Sequence, residues 1–223
     1  MREYWSDILD KPEVTVIDYG VGNLLSVQRA LEHCGAKVIL TNNPEKIHSA
    51  KRLVLPGVGA FSKAMQALES LKLVSVIREL AQLNKPLLGI CLGMQLLLEE
   101  SDEFGVTAGL GLIPGRVVAV PNLTLSGTAQ KIPHIGWSAL QISKEVVGWE
   151  HTLLKDNCAG DYVYFVHSFM AVPTNTAHRI ADCQYGSHKI AATIGRDNIT
   201  GCQFHPEKSG EVGLKILRRF ILL

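Results

Sequence analysis

Pro86-Leu87-Leu88-Gly89-Ile90-Cys91-Leu92-Gly93-Met94-Gln95 is an apolar run that closes on a cysteine between two glycines and continues into the helix-forming stretch 94–100. Read as strand, sharp turn and helix, it is a nucleophile elbow with sulfur in place of oxygen. Such a turn crowds the backbone, which favours residues without a Cβ on both sides, and it lifts the central side chain toward a substrate. The start of a helix offers unpaired N–H groups and the positive end of a dipole, and both favour a thiolate at Cys91. The amide of Leu92 points at the same spot and is a candidate oxyanion donor. A cysteine in apolar surroundings is ordinarily a small buried hydrophobe, and Cys34, Cys158, Cys183 and Cys202 are read that way. The flanking glycines set Cys91 apart.

Outward from the elbow, the first half of the chain alternates β-type and helical runs. Strands are expected at 14–19, 37–41, 52–55 and 86–90, and helices at 24–34, 60–71 and 74–83. This alternation implies an α/β fold built on an open, mainly parallel sheet with helices on both faces, three layers in all. From Gly115 the texture changes to short β-type runs punctuated by Pro and Gly, at 117–120, 163–167, 189–194 and 199–203. These read as antiparallel strands added to the same sheet, and 210–222 as a closing amphipathic helix. Residues 1–13 read as a short lead-in, 14–223 as one domain, and 122–131 as an exposed loop.

A cysteine nucleophile needs a base, and Cys202-Gln203-Phe204-His205-Pro206-Glu207 supplies one at the end of another apolar run. His205 is the candidate base. Glu207 is its orienter, since a carboxylate that accepts from one imidazole nitrogen fixes the tautomer and leaves the other free to exchange a proton with sulfur. In open sheets the chemistry gathers outside the carboxyl ends of the strands, which suits both strings. Pro56-Gly57-Val58-Gly59 follows the third strand. Glycines on either side of Val58 let a peptide plane rotate and present an N–H to an oxyanion, opposite Leu92. No Lys-Ser or Lys-Thr follows to make a phosphate loop, and Gly20-Val21-Gly22-Asn23 lacks the third glycine of a dinucleotide fingerprint.

The 223 residues carry 22 basic and 21 acidic side chains without a basic stripe, which argues against a nucleic-acid or membrane-surface role. Five cysteines without regular spacing argue against a disulfide framework, and Cys91 has no partner spacing for a structural metal site. No cofactor and no metal are expected. The first 13 residues lack an apolar stretch of signal length, so a cytoplasmic enzyme is the expectation.

The elbow string with His205-Pro206-Glu207 resembles the class I (triad) glutamine amidotransferases over nearly the whole chain, from Val14 to Leu223. Within that family, residues 18–24, 55–61, 131–137 (Lys-Ile-Pro-His-Ile-Gly-Trp) and 205–209 are similar to the glutaminase subunits of imidazole glycerol phosphate synthases. Ser138 departs from the pattern, which commonly has Asn after the tryptophan. The resemblance implies a flavodoxin-like sheet and a Cys91, His205, Glu207 triad that hydrolyses L-glutamine through a thioester. It implies an oxyanion hole at Gly57, Val58, Gly59 and Leu92, and glutamine contacts at Gln95, Ser168 and Phe169. It further implies a heterodimer in which ammonia passes to a cyclase subunit of (β/α)8-barrel type, with Asn23, Trp137, Tyr164 and Lys208 on the shared face.

Three other functions fit the same residues. One is a stand-alone cysteine amidase or γ-glutamyl hydrolase. Another is an idle interaction domain, against which the intact triad argues. The third is a glutaminase serving a different synthase, for example one that amidinates a surface sugar, because only the partner would differ.

Overall fold

The computed structural model describes residues 11–223. The chain opens β1 (Glu13–Ile17), α1 (Leu24–His33), β2 (Lys37–Thr41), α2 (Pro44–His48), β3 (Leu53–Gly57), α3 (Phe61–Ser70), α4 (Leu73–Gln82), β4 (Leu87–Cys91) and α5 (Leu92–Leu96). Then come β5 (Glu100–Ser101), β6 (Thr107–Ala108), β7 (Gly115–Ala119), β8 (His134–Ile142), β9 (Tyr162–His167) and β10 (Phe169–Pro173). The last elements are β11 (Arg179–Tyr185), β12 (His188–Arg196), β13 (Ile199–Cys202) and α6 (Gly210–Ile221).

The main sheet has the order β2-β1-β3-β4-β13-β12-β11-β8-β9. Its first five strands run parallel, and β12, β11, β8 and β9 join antiparallel in turn. Of the parallel strands, β1, β3, β4 and β13 are buried on both faces while the edge strand β2 is half-exposed, and their alternating side chains feed two cores. Val14, Val16, Val54, Leu88 and Ile90 meet Leu31, Leu217 and Phe220 of α1 and α6 on one face. Leu53, Leu55 and Leu87 meet Phe61, Leu68, Ile77 and Leu80 of α3 and α4 on the other. The expected three layers are therefore present.

Several expectations need correction. Residues 117–120 do not join the main sheet: β7 pairs with β10 and β5 in a second sheet of order β10-β7-β5-β6. The helix placed at 94–100 begins at Leu92 and ends at Leu96, and Glu100 belongs to β5. Gly109 explains the early stop, because its amide and that of Leu110 bond the carbonyls of Glu99 and Leu96 and draw the chain into the second sheet. β1 begins at Glu13, so that residue is strand and not lead-in; the remainder of the lead-in through residue 10 lies outside the described residues. Strands β5, β6, β8, β10 and β11 and the short helix α2 had no expectation at all.

Proline in a central strand is ordinarily excluded because it removes a ladder donor. Pro56 is tolerated because β1 pairs with β3 only at Leu53 and Val54, so the missing N–H falls beyond that ladder. Its carbonyl still accepts from the buried Tyr19 hydroxyl at 2.8 Å, a bond that fastens the end of β3 where the next loop begins.

Candidate active site

Three adjacent parallel strands deliver the site. Gly57 at the end of β3 is in register with Cys91 at the end of β4, and Ile90 is in register with Cys202, three residues before His205. A cavity of about 310 Å³ opens there, and its wall includes Val58, Gly59, Cys91, Leu92, Gln95, Ser168, Phe169 and His205. Gly57 is not on that wall. A Cβ at Gly57 would lie 2.5 Å from the Tyr19 hydroxyl and 3.1 Å from the Gly93 nitrogen, so its place is beneath the loop.

The elbow is as strained as its sequence implies. Cys91 has φ 54° and ψ −109°, outside the regions an L-residue ordinarily occupies. The flanking glycines prove to be packing necessities: a Cβ on Gly93 would sit 1.8 Å from the Leu55 carbonyl oxygen, and one on Gly89 would sit 2.7 Å from that of Gly93. No L side chain survives the first contact. The elbow is also less exposed than a strand-to-helix turn suggests, since Cys91 is only 6% accessible and reaches solvent through the cavity.

His205 Nδ1 lies 2.7 Å from Glu207 Oε1, with both side chains buried. The carboxylate can only accept, so the ring proton is on Nδ1 and Nε2 is left for the sulfur. Burial opposes a charged ring here, but the adjacent Cys91 sulfur and the Glu207 carboxylate outweigh it and push His205 up to about 10. Burial pushes the thiols of Cys183 and Cys202 up to about 12, which keeps them protonated and inert.

Behind the cavity, Gln95 Nε2 donates to the Phe169 carbonyl at 2.9 Å and to Gln203 Oε1 at 3.1 Å. Gln203 Nε2 in turn donates to the Cys91 sulfur at 3.8 Å. With both amide hydrogens used, Gln95 has its Oε1 to offer the cavity it lines. Gln203 is completely buried and directs a neutral donor at the nucleophile, a role that a glutamine in a β-type run did not announce. Glu103 was also missed. Its carboxylate lines the cavity while accepting from the Phe61 amide at the start of α3, and its only sequence signal was an acidic residue in a turn.

His167 also lines the cavity but is no alternative base. Its Nδ1 lies 2.8 Å from the Phe169 carbonyl, its Nε2 lies 3.0 Å from His134 Nδ1, and burial holds it down at about 3. His188 is elsewhere, against the Leu123 carbonyl.

Of the residues assigned to a shared face, Trp137 and Tyr164 are cross-strand neighbours on β8 and β9 with ring centroids 5.9 Å apart, and Trp137 is 54% exposed. The Tyr164 carbonyl accepts from the His205 amide, which ties this pair to the turn carrying exposed Lys208. Asn23 has a local structural duty as well. It caps α1, its side chain accepting from Ser26 N at 3.4 Å.

Known proteins share this chain's sequence and fold. The family described as glutamine amidotransferase class-I matches residues 15–223. The chain is 53% identical over 208 residues to imidazole glycerol phosphate synthase subunit HisH 1 of Legionella pneumophila strain Lens, covering 93% of this chain and 98% of that one. It is 46% identical to subunit HisH of Geobacillus thermodenitrificans, covering 93% and 94%. Among solved structures, PurLQS from Thermotoga maritima superposes with a TM-score of 0.70 at 20% identity, covering 95% of this chain and 98% of that one, a likeness of fold. The chain belongs to the class-I glutamine amidotransferase family and, within it, to the HisH subunits of imidazole glycerol phosphate synthase.

Proposed function

We propose that this chain generates ammonia from L-glutamine at Cys91 and passes it to a cyclase subunit of (β/α)8-barrel type. The observation that carries the chemistry is that Cys91 and His205 line one cavity, with buried Glu207 Oε1 2.7 Å from His205 Nδ1. Cys91 sulfur attacks the side-chain amide carbon, and the developing oxyanion is met by the amides of Leu92 and Gly59. His205 gives a proton to the departing ammonia, and the C–N bond breaks to leave a γ-glutamyl thioester. Water that loses a proton to the same imidazole then cleaves the thioester to glutamate, and Glu207 holds the ring throughout.

Substrate recognition follows from the same wall. Gln95 Oε1 and the backbone of Ser168 and Phe169 offer hydrogen-bonding groups to glutamine. Glu103 offers a carboxylate to its α-ammonium group. The exposed Trp137 ring and the half-buried Tyr164 ring, together with Lys208 and Asn23, form the face that receives the cyclase, an aromatic anchor flanked by a charge. The complex works in the cytoplasm.

The test uses Cys91→Ala in the assembled complex. Glutamine-dependent synthesis disappears, while ammonium salts restore it, because the cyclase needs only ammonia. Glutamine turnover above about a tenth of wild type, against the 10³-fold or larger loss expected for a missing nucleophile, refutes the assignment. A chain that turns over freely without the cyclase is instead a stand-alone amidase.

A further inference from the structure

A directed hydrogen-bond chain runs from β8 through β9 to the glutamine cavity. The Phe169 carbonyl can only accept, so His167 Nδ1, at 2.8 Å, carries its proton. His167 Nε2 is then the bare nitrogen and must accept from His134 Nδ1 at 3.0 Å. His134 Nε2 is bare in its turn and accepts from the Ser138 hydroxyl at 3.0 Å. Every proton in the chain is thereby assigned, and each runs toward Phe169.

We propose that His134 is a positioning residue: its Nδ1–H holds His167 in the tautomer that donates to the Phe169 carbonyl, and so fixes the Ser168–Phe169 backbone on the cavity wall. Three features make the position suited to that task. His134 is 1% exposed and stacked between the rings of Phe165 and Tyr185, at 4.8 and 4.0 Å between centroids, so its ring cannot swing away. Both histidines are kept neutral by burial, which holds His134 near 4 and His167 near 3, so the directionality persists at neutral pH. The Phe169 carbonyl is shared with Gln95 Nε2, so a shift at this one oxygen disturbs both the Ser168–Phe169 backbone and the side chain beside it. His134 touches no reacting atom. Without its donor, the His167 ring can carry its proton on Nε2 and turn a lone pair toward the carbonyl, which then moves away.

The kinetic consequence rests on glutamine occupying the cavity, and the tautomer assignment does not. Nitrogen-15 spectra of the labelled full chain at pH 7 are expected to show His134 and His167 both protonated on Nδ1; an Nε2–H form at His167 overturns the proposal. His134→Phe keeps the ring stack and removes the donor. In the presence of the cyclase its KM for glutamine is expected to rise about tenfold, the worth of one hydrogen bond, with a much smaller change in kcat. His134→Asn, which returns an N–H donor near the Nδ1 position, brings KM back to within about threefold of wild type. A KM unmoved in His134→Phe overturns the proposal, as does equal damage in the Asn and Phe variants. If His134→Phe fails to fold, the wild-type spectrum decides alone. If the wild-type complex does not consume glutamine, the glutaminase reading fails and the tautomer assignment stands or falls by the spectrum.

Discussion

His205 and Glu207 are separated by one residue, and that spacing places the carboxylate 2.7 Å from Nδ1 across a short 3-10 turn begun by Pro206. Their contributions differ in kind. In the proposed mechanism His205 moves a proton in both half-reactions, whereas Glu207 fixes the tautomer and stabilises the charged ring. His205→Ala is therefore expected to lower kcat for glutamine by at least about 10³-fold, and Glu207→Gln by clearly less. Steady-state rates of glutamate release with the cyclase present check this. Equal and mild losses in both variants point to a different base, although His167, with both nitrogens engaged, is not available for it.

At the scale of elements, the β8–β9 hairpin carries a pair of neutral histidines in register, His134 opposite His167. Both have folded-state values below the ordinary histidine value, so the unfolded chain binds protons that the folded chain refuses. Their contribution to stability is present above about pH 6.5 and is lost as pH falls through about 4 and 3. His205 acts in the opposite direction: its raised value makes its contribution complete below about pH 6.5 and lost as pH rises through about 10. Thermal melting of the full chain is thus expected to fall between pH 6.5 and 4, and His134→Phe to make that fall shallower by removing one of the two protons. An unchanged slope contradicts the assignment of burial as the cause. The elbow is a second element with a sharp expectation. Gly93→Ala drives a methyl into the Leu55 carbonyl and costs at least about 1–3 kcal/mol, measured as a lower denaturation midpoint together with lost activity.

For the whole molecule, the question is what the cyclase adds to a chain that already holds its triad. Gly59 has φ +94° and neighbours the 41% exposed Val58, so the loop after β3 lies where a docking partner reaches it. A peptide plane that rests with its carbonyl toward the sulfur leaves the oxyanion hole one donor short, and one donor is worth about 10²–10³ in rate. The isolated chain is accordingly expected to be a poor glutaminase, with the cyclase and a ligand of the cyclase together raising its rate at least about 10²-fold. Glutamate release measured for the chain alone, with cyclase, and with cyclase and ligand decides it. A free chain already at full rate shows a hole formed in advance.

The sequence by itself marked Cys91, His205 and Glu207 as the proposed nucleophile, base and orienter, and it determined the parallel half of the sheet. Those features are local: an elbow demands its glycines beside the nucleophile, the carboxylate here lies two residues from the imidazole, and buried parallel strands read as continuous apolar runs. Tertiary structure alone decided what depends on distant segments meeting. β13 inserts beside β4 although more than a hundred residues separate them, and that adjacency brings His205 to Cys91. The second sheet draws β7 away because β10 pairs with it, an outcome of strand pairing that no alternation pattern specifies. Gln203, Glu103, His134 and His167 are ordinary polar residues in β-type or turn segments, and only the fold brings each to its hydrogen-bonding partners. Their roles reside in proton direction and distance, which sequence spacing does not encode.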